Sequence, residues 1–306
     1  VAGFHHGTMR FERPYLKIEN DIPVFEENDA YIENYDRIAS DHLEGLRRTG
    51  SNPFMSEKQI QETIQSVQDL VRAHVAPGSR LLDVGIGLGG LMATLTEYER
   101  YGLDIAMPYL QECKKLVPNL CLSRIENAPF ESSFFDAIVT VDVLEHVLQL
   151  DRAMQQIDRM LKPGGYIIVD VPNEERLDSY LPSESVYDYV HVRGFSLSGL
   201  RLLFQRIWGY EYIAHRFSGW LLNSFDNLKL CIPEGTGPVQ DILNSEEAQV
   251  PELDGLRSLR HYDQDRLSRD LVFLRDRHPD LARKLFHHIL RPVELTSVFR
   301  KPLSAR

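Results

Sequence analysis

The stretch Asp83-Val84-Gly85-Ile86-Gly87-Leu88-Gly89-Gly90 limits what this chain can fold into more than any other. It overlaps the end of the run Leu81-Leu82-Asp83-Val84, which reads as a buried strand, and opens a helical pattern from about Gly90 to Tyr98. Glycines at such a junction let the backbone turn sharply and come close to a ligand, while the helix N-terminus offers unpaired N–H groups. Taken alone, the loop leaves its ligand open. Gly85, Gly87 and Gly90 satisfy the dinucleotide fingerprint, with Asp104 about 20 residues from the loop as the ribose acid.

The alternation continues downstream. Tyr101-Gly102-Leu103 is a second, weaker strand, followed by a helix from Pro108 to about Leu116. Leu120–Ile125 is a third strand, Phe135–Val141 a strong fourth and Tyr166–Val171 a fifth, preceded by the turn Lys162-Pro163-Gly164-Gly165. Helices are expected over Asp151–Leu161 and from Ser196 to about Gln205, with a further strand at Tyr210–Arg216. Strands and helices at this spacing argue for a parallel sheet covered on both faces. Two amphipathic helices come first. One starts at Asn28 or Asp29, good N-caps, and stops at Gly50; the other opens with a Ser56/Gln59 capping box and ends at Pro77-Gly78. Past Trp220 the rhythm breaks, residues 265–290 look helical again, and Leu295–Phe299 is a last β-like run.

Length and charge narrow the class. At about 150 residues per domain, 306 residues suggest two units. With 45 Asp/Glu against 34 Lys/Arg, a net −11, a broad grip on nucleic-acid phosphates is disfavoured, because such binding rests on basic patches. Residues 256–306 reverse the balance, with 12 Lys/Arg against 6 Asp/Glu; such an end is more often self-complementary packing than a docking surface. Cys113, Cys121 and Cys231 lack CxxC or Cys/His ligand spacing, so neither a disulfide framework nor a zinc site follows, and no metal is expected. No apolar run approaches the roughly 18 to 20 residues of a membrane span. Val1–Met9 has no apolar signal core, and its His5-His6 pair looks like an expression remnant. A reducing cytoplasm and no membrane partner are the expectations.

Asp83 tips the choice of ligand. Its carboxylate, two residues before the first glycine, would repel a pyrophosphate and favour an ammonium or sulfonium. The downstream landmarks also depart from those of a dehydrogenase. They are Glu126-Asn127-Ala128-Pro129-Phe130, Phe135-Asp136-Ala137, Val143-Leu144-Glu145-His146-Val147 and Leu161-Lys162-Pro163-Gly164-Gly165.

With these motifs in order, the chain resembles the class I S-adenosylmethionine-dependent methyltransferases of small-molecule type, similar to those of ubiquinone biosynthesis. The matching signatures are LLDVGIGLGG, GLD, ENAPF, FDAIVTVDVLEHV and LKPGG, over roughly residues 79–217. The resemblance implies a seven-stranded, mostly parallel, Rossmann-like α/β sheet with helices on both faces. Residues 1–78 would be a tail and helical cap, 79–217 with 293–302 the cofactor-binding domain, and 218–292 a mainly helical insertion before the last strand. It also implies S-adenosylmethionine as cofactor. Gly85, Gly87 and Gly89 would lie against its methionine and ribose, with Asp83 shaping the loop or reaching the amino group through water. Asp104 would take both ribose hydroxyls and Ile105 would pack on the adenine. Glu126 and Asn127 would lie near the adenine edge, and Asp142 would help hold the methionine end. Many relatives carry an Asp for the adenine amino group where this chain has Arg124.

Methyl transfer from a sulfonium is an in-line displacement in which the protein aligns the nucleophile and excludes water. A hydroxyl acceptor would usually want a base, and the candidates are His146, Glu145 and His191. Each has a plainer reading as a capping or packing residue. Tyr31 and Tyr35 read as core of the cap helix before lid groups, and Tyr180, Tyr187 and Tyr189 as an acceptor wall or local packing. Val141-Asp142-Val143-Leu144 lacks the signature that resembles enzymes methylating nucleic-acid amino groups. The expected activity is methyl transfer to O or N of a small molecule, a sugar or other natural-product intermediate. The alternatives are an NAD-dependent oxidoreductase or a non-catalytic cofactor-binding partner. The insertion of about 75 residues is an acceptor lid or a homodimerisation arm.

Overall fold

The computed structural model describes residues 4–53, 55, 57–175, 177–181, 187–218, 238–249, 251, 264–289 and 292–304. The chain divides into two compact units, Val1–Ser218 with Glu294–Arg306, and Gly219–Val293.

The first unit opens with four short strands, β1 (Phe4–His6), β2 (Met9–Phe11), β3 (Lys17–Glu19) and β4 (Ile22–Val24), and two helices, α1 (Ala30–Thr49) and α2 (Glu57–His74). Then come β5 (Arg80–Val84), α3 (Gly90–Ala93), β6 (Glu99–Asp104), α4 (Met107–Cys113) and β7 (Asn119–Leu122). After these follow β8 (Phe135–Val141), α5 (Leu150–Met160), β9 (Leu161–Pro172), α6 (Leu197–Arg201) and β10 (Glu211–Ser218). The strand β11 (Glu294–Arg300) completes a nine-stranded sheet in the order β10-β11-β9-β8-β5-β6-β7-β4-β3. The ladders from β9 through β8, β5 and β6 to β7 and on to β4 are parallel; β11 is antiparallel to both β9 and β10.

The chain builds outward from β5 in two directions, to β6 and β7 on one side and to β8 and β9 on the other. The order therefore reverses at the carboxyl end of β5, where open α/β sheets bind their ligands. Both faces of the central strands are buried, which is why they read as apolar runs without clean alternation. Leu81 packs in one core cluster with Val67, Leu70 and Val71 of α2, and Leu82 in the other with Ala153, Met154 and Ile157 of α5. At the opposite, amino end of the sheet, Asp136 of β8 accepts the Arg80 N–H at 2.9 Å and the Lys162 ammonium at 2.6 Å. The aspartate of the FDA motif is thus a tie between strands, far from the switch point.

Asp29 caps α1 by accepting from the Tyr31 and Ile32 amides, both at 3.1 Å, and Gly50 ends it in the left-handed region with φ 72°. Both follow the sequence expectation. Ser56, half of the expected capping box, lies outside the described residues.

The sheet corrects the expected seven strands to nine. The hairpin β3–β4 adds to the edge through Val24, paired parallel with Leu122, and β1–β2 forms a separate ladder. Three-residue strands hold too few positions to express a period, so their partners define them. His5 and His6, read as a remnant, sit in β1, and Met9 and Phe11 of β2 are buried in the core. The helix expected to reach Tyr98 stops at Ala93, and the Met92 carbonyl is taken by the Arg100 guanidinium at 2.9 Å. The expected Lys162–Gly165 turn is absorbed into the irregular start of β9. The helix at Ser196 passes into a π-helical stretch over Leu202–Ile207.

The second unit contains α7 (Pro238–Leu243), α8 (Gln264–Arg277) and α9 (Pro279–Ile289), with Leu243, Leu271, Leu274, Leu281 and Leu285 buried. Among the described residues, no helix is long and apolar enough to cross a membrane.

Gly102 of β6 shows how tightly the sheet centre is packed. A Cβ there would lie 2.4 Å from Ile86 Cδ1 and 2.7 Å from Leu120 Cδ2. Gly102→Ala should lower stability by about 1–3 kcal/mol through overpacking, read as a reduced urea midpoint with an unchanged slope.

Candidate functional site

At the switch point the glycine loop leaves β5 with Gly85, Gly87 and Gly89 at φ 71°, 52° and 76°, a region that favours glycine. Two of the three also lack room for a side chain. A Cβ on Gly85 would meet Val143 Cγ2 at 2.4 Å, and one on Gly89 would meet Cys113 Sγ at 2.6 Å. A Cβ on Gly87 would meet only the Gly85 carbonyl, at 4.0 Å, so space opens at the crest of the loop. Asp104, at the end of β6, accepts the Gly87 N–H at 2.8 Å on one carboxylate oxygen and the Ala106 N–H at 2.9 Å on the other. Each oxygen keeps lone-pair capacity for a further donor, as a bidentate contact to two hydroxyls requires. Asp83 is buried beside it; burial first, and the Asp104 charge second, raise the Asp83 pKa well above the usual carboxylate range. A ligand cation near this pair would relieve that penalty. The donors and acceptors around the loop therefore fit a ligand with a hydroxylated ring and a positively charged end.

The carboxyl end of β8 forms the other wall. Asp142 follows the strand with φ 50°, an uncommon conformation for a residue with a side chain, and its Oδ1 is buried without a hydrogen bond. Glu145 is buried and neither of its carboxylate oxygens has a hydrogen-bond partner. His146 is next to it, with Nδ1 buried and unpaired. Burial, followed by the neighbouring His191, pushes the His146 pKa down to about 3, so its ring is neutral and a weak proton acceptor. The rings of His146 and His191 are 4.4 Å apart and nearly perpendicular. Glu175 holds His191 at Nδ1, and the Tyr180 hydroxyl lies 3.3 Å from the same nitrogen. All three expected acceptor-side residues thus come together although His191 is remote in sequence.

Backbone contacts produce that meeting. The Val192 N–H donates to the Glu145 carbonyl at 2.9 Å, and Arg193 donates to the Leu144 carbonyl at 2.9 Å and to the Val147 carbonyl. From the cap, buried Asn34 donates to the Tyr189 carbonyl at 3.0 Å and accepts from the Asp188 and Tyr189 amides. Tyr31 donates to the His146 carbonyl at 3.2 Å, and its ring touches those of Tyr35 and Tyr189, each at 5.0 Å. Tyr187 donates to Asp41 of α1 at 2.9 Å. Neither Asn34 nor Arg193 stood out in the sequence, since each acts on backbone groups that only the fold brings near.

On the adenine side expected from the sequence, Arg124 is engaged elsewhere. It pairs with the α1 cap residue Asp29 and lies over the Tyr31 ring at 4.9 Å, fastening the cap to the loop after β7. Ile105 is half-buried beside Asp104. Glu126 receives the Gln149 N–H at 3.5 Å, whereas Asn127 is exposed and its amide donates to Glu26 at 3.3 Å. Glu126 and Asn127 border a groove of about 620 Å³ that also contains Arg13, Glu26 and Arg159.

Comparison with known proteins adds a family match over part of the chain. Residues 82–169 match the family described as a methyltransferase domain. A ubiquinone/menaquinone biosynthesis C-methyltransferase of Ralstonia nicotianae is 28% identical over 131 residues, 39% of this chain and 52% of that protein. A tRNA (carboxymethyluridine(34)-5-O)-methyltransferase of Arabidopsis thaliana is 29% identical over 107 residues, 34% of this chain and 26% of that protein. The matches thus span about a quarter to a half of these relatives. A chain in a complex of the Haloferax volcanii Trm112 methyltransferase activator aligns over 90% of this chain and 99% of its own, with a TM-score of 0.55 and 14% identity, a likeness of fold.

Behind Asp142 lies Asp170 of β9, buried with Glu294 of β11; Thr296 donates to one Asp170 oxygen and Gln59 to Glu294 at 3.1 Å. Burial, then the Glu294 charge, raise the Asp170 pKa well above its ordinary 3.8. The folded state therefore holds a proton that the unfolded state has lost above about pH 4, and this contribution to stability fades as pH rises through the folded value. Asp170→Asn should make the fall in urea midpoint between about pH 5 and pH 8 shallower than in the wild type; an unchanged slope would show that Asp170 is ionised in the fold.

Proposed function

We propose that this chain is a class I S-adenosylmethionine-dependent methyltransferase that uses that cofactor to methylate O or N of a small-molecule acceptor such as a sugar or other natural-product intermediate. The observation that carries the reading is the glycine crest at the switch point, tied to a carboxylate that keeps free acceptor capacity. When bound, S-adenosylmethionine supplies a methyl group already activated on a sulfonium.

The residues then divide the work. Gly85, Gly87 and Gly89 let the backbone approach the cofactor, Asp104 takes its ribose hydroxyls, and Ile105 packs on its adenine. Asp83 and Asp142 hold carboxylates near its cationic end, whose charge would favour their ionised forms against the cost of burial. Glu126 contributes on the adenine edge; Asn127, turned to Glu26, contributes through its backbone. Glu145, His146 and His191 face the acceptor. The cap closes this side through Asn34 and Tyr31, keeping water from the reacting atoms. The net charge of −11 supports a small acceptor over a polyanionic nucleic acid. The Gly219–Val293 unit would serve as an acceptor lid or as a homodimerisation arm.

Calorimetry with S-adenosylhomocysteine and NAD tests the cofactor, and release of S-adenosylhomocysteine against a panel of hydroxyl and amine acceptors tests the reaction. Binding of S-adenosylhomocysteine and its release on turnover are expected. Binding of NAD alone would overturn the reading, and cofactor binding without turnover across the panel would favour a non-catalytic partner. Asp104→Ala should weaken S-adenosylhomocysteine at least tenfold, about 1.4 kcal/mol, and should also lower the melting temperature, because the Gly87 and Ala106 amides lose their acceptor. Asn34→Ala should raise the acceptor KM severalfold and leave the cofactor Kd within about twofold, since it frees the 188–191 loop without touching the glycine crest.

A further inference from the structure

The acceptor wall carries a donor set that the cofactor does not use. One ligand atom each of Glu145, His146 and His191 lies within 4.8 Å of the other two, and two of the three residues sit side by side after β8. Both Glu145 oxygens and His146 Nδ1 are buried without hydrogen-bond partners. Leaving a buried carboxylate and a ring nitrogen unpaired is unfavourable by about 1–3 kcal/mol for each neutral group and more for a charged one. Such groups call for a ligand that meets all of them together.

We propose that Glu145, His146 and His191 bind one divalent first-row transition-metal cation at the carboxyl end of β8.

Three features beyond proximity suit this. First, His191 is oriented as metal-ligating histidines usually are. Its Nδ1 contacts the Glu175 carboxylate, an acceptor that would take an Nδ1 proton and leave Nε2 as the ligand atom. Second, the Val192–Glu145 backbone bond and the Arg193 contacts fix the histidine loop against the turn bearing the other two donors. Third, the neighbourhood is acidic. Asp142, Asp170 and Glu294 form an adjoining group whose carboxyl oxygens lie within 4.8 Å of one another. A cation between the histidines and Glu145 would favour the ionised forms of these groups. Two imidazoles with one carboxylate favour zinc, iron, cobalt or nickel over magnesium or calcium, which prefer all-oxygen sites. Zinc–ligand distances of about 2.0–2.2 Å put tetrahedral donor pairs about 3.4 Å apart, so donors that lie within 4.8 Å of one another approach by about 1.4 Å at most on binding.

The cation deepens the proposed function and rests on it for this part only. A metal beside the methyl acceptor polarises an oxygen and lowers the pKa of its hydroxyl. It thereby selects a hydroxylated acceptor over an amine.

The test uses the full chain, stripped with a chelator and titrated with Co2+ by visible absorption and with Zn2+ by calorimetry. One Co2+ per chain, displaced by one Zn2+, is expected, with Mg2+ failing to displace it. His191→Ala and Glu145→Gln should each weaken binding at least tenfold while S-adenosylhomocysteine affinity stays within about twofold. His191 lies on a loop, so its variant serves if Glu145→Gln fails to fold. Absence of Co2+ and Zn2+ binding in the wild type, or equal binding by His191→Ala, overturns the proposal. The two readings fail separately. One Zn2+ bound through His191 without methyl transfer supports the cation site and overturns the proposed function; methyl transfer without a bound metal does the reverse.

Discussion

The Asp104 carboxylate, accepting one backbone N–H from the glycine loop and one from the start of the next helix, is the constraint on which the site is built. It converts a turn of three left-handed glycines, each conformationally costly, into a fixed crest beside the end of β6. Charge-assisted hydrogen bonds to backbone amides are stronger than neutral ones, so this single side chain can hold both segments. Its position follows from the parallel pairing of β5 with β6, which brings Leu103 opposite Val84 and delivers Asp104 at the mouth of the loop. The sheet and the glycine crest are one construction.

The wall at the carboxyl end of β8 is assembled differently, almost wholly by side chains that bind backbone. Arg193 gathers carbonyls of the turn after β8, and Asn34 holds both the N–H and carbonyl groups of the 188–189 stretch. Arg124 clamps Asp29 at the start of α1. Polar groups that pair with main chain specify a loop's path without needing a hydrophobic core beneath it. This suits a wall that must stay polar toward its ligand.

The alternation of strands and helices was readable because strands buried on both faces are continuous apolar runs, and Phe135–Val141 appears with its bounds intact. The glycine loop and Asp104 were readable because backbone conformation restricts residue type there. The edge hairpin at Lys17–Val24 was not, since three-residue strands carry no period. Nor was the seating of His191 against His146, which depends on Arg193 and Val192 meeting carbonyls more than forty positions away. Asp142, Asp170 and Glu294 come from three separate strand ends, and only the β8–β9 and β9–β11 registers make them neighbours. Composition marked an excess of acid; pairing decided where it collects.

The strand β11 gives the fold an order of assembly. It occupies the place between β9 and β10, yet the whole Gly219–Val293 unit separates it in sequence from β10. Until it arrives, β9 presents an unpaired edge on that side, and Asp170, Gln59 and Ser66 lack Thr296 and Glu294 as partners. Loop closure over that distance is slow compared with the local β-α-β steps that precede it. A chain emerging from a ribosome would therefore build the glycine crest first and seal the sheet last. The open edge in the interval is a template for other strands, so a chain of this design depends for its solubility on how quickly one late strand finds its slot.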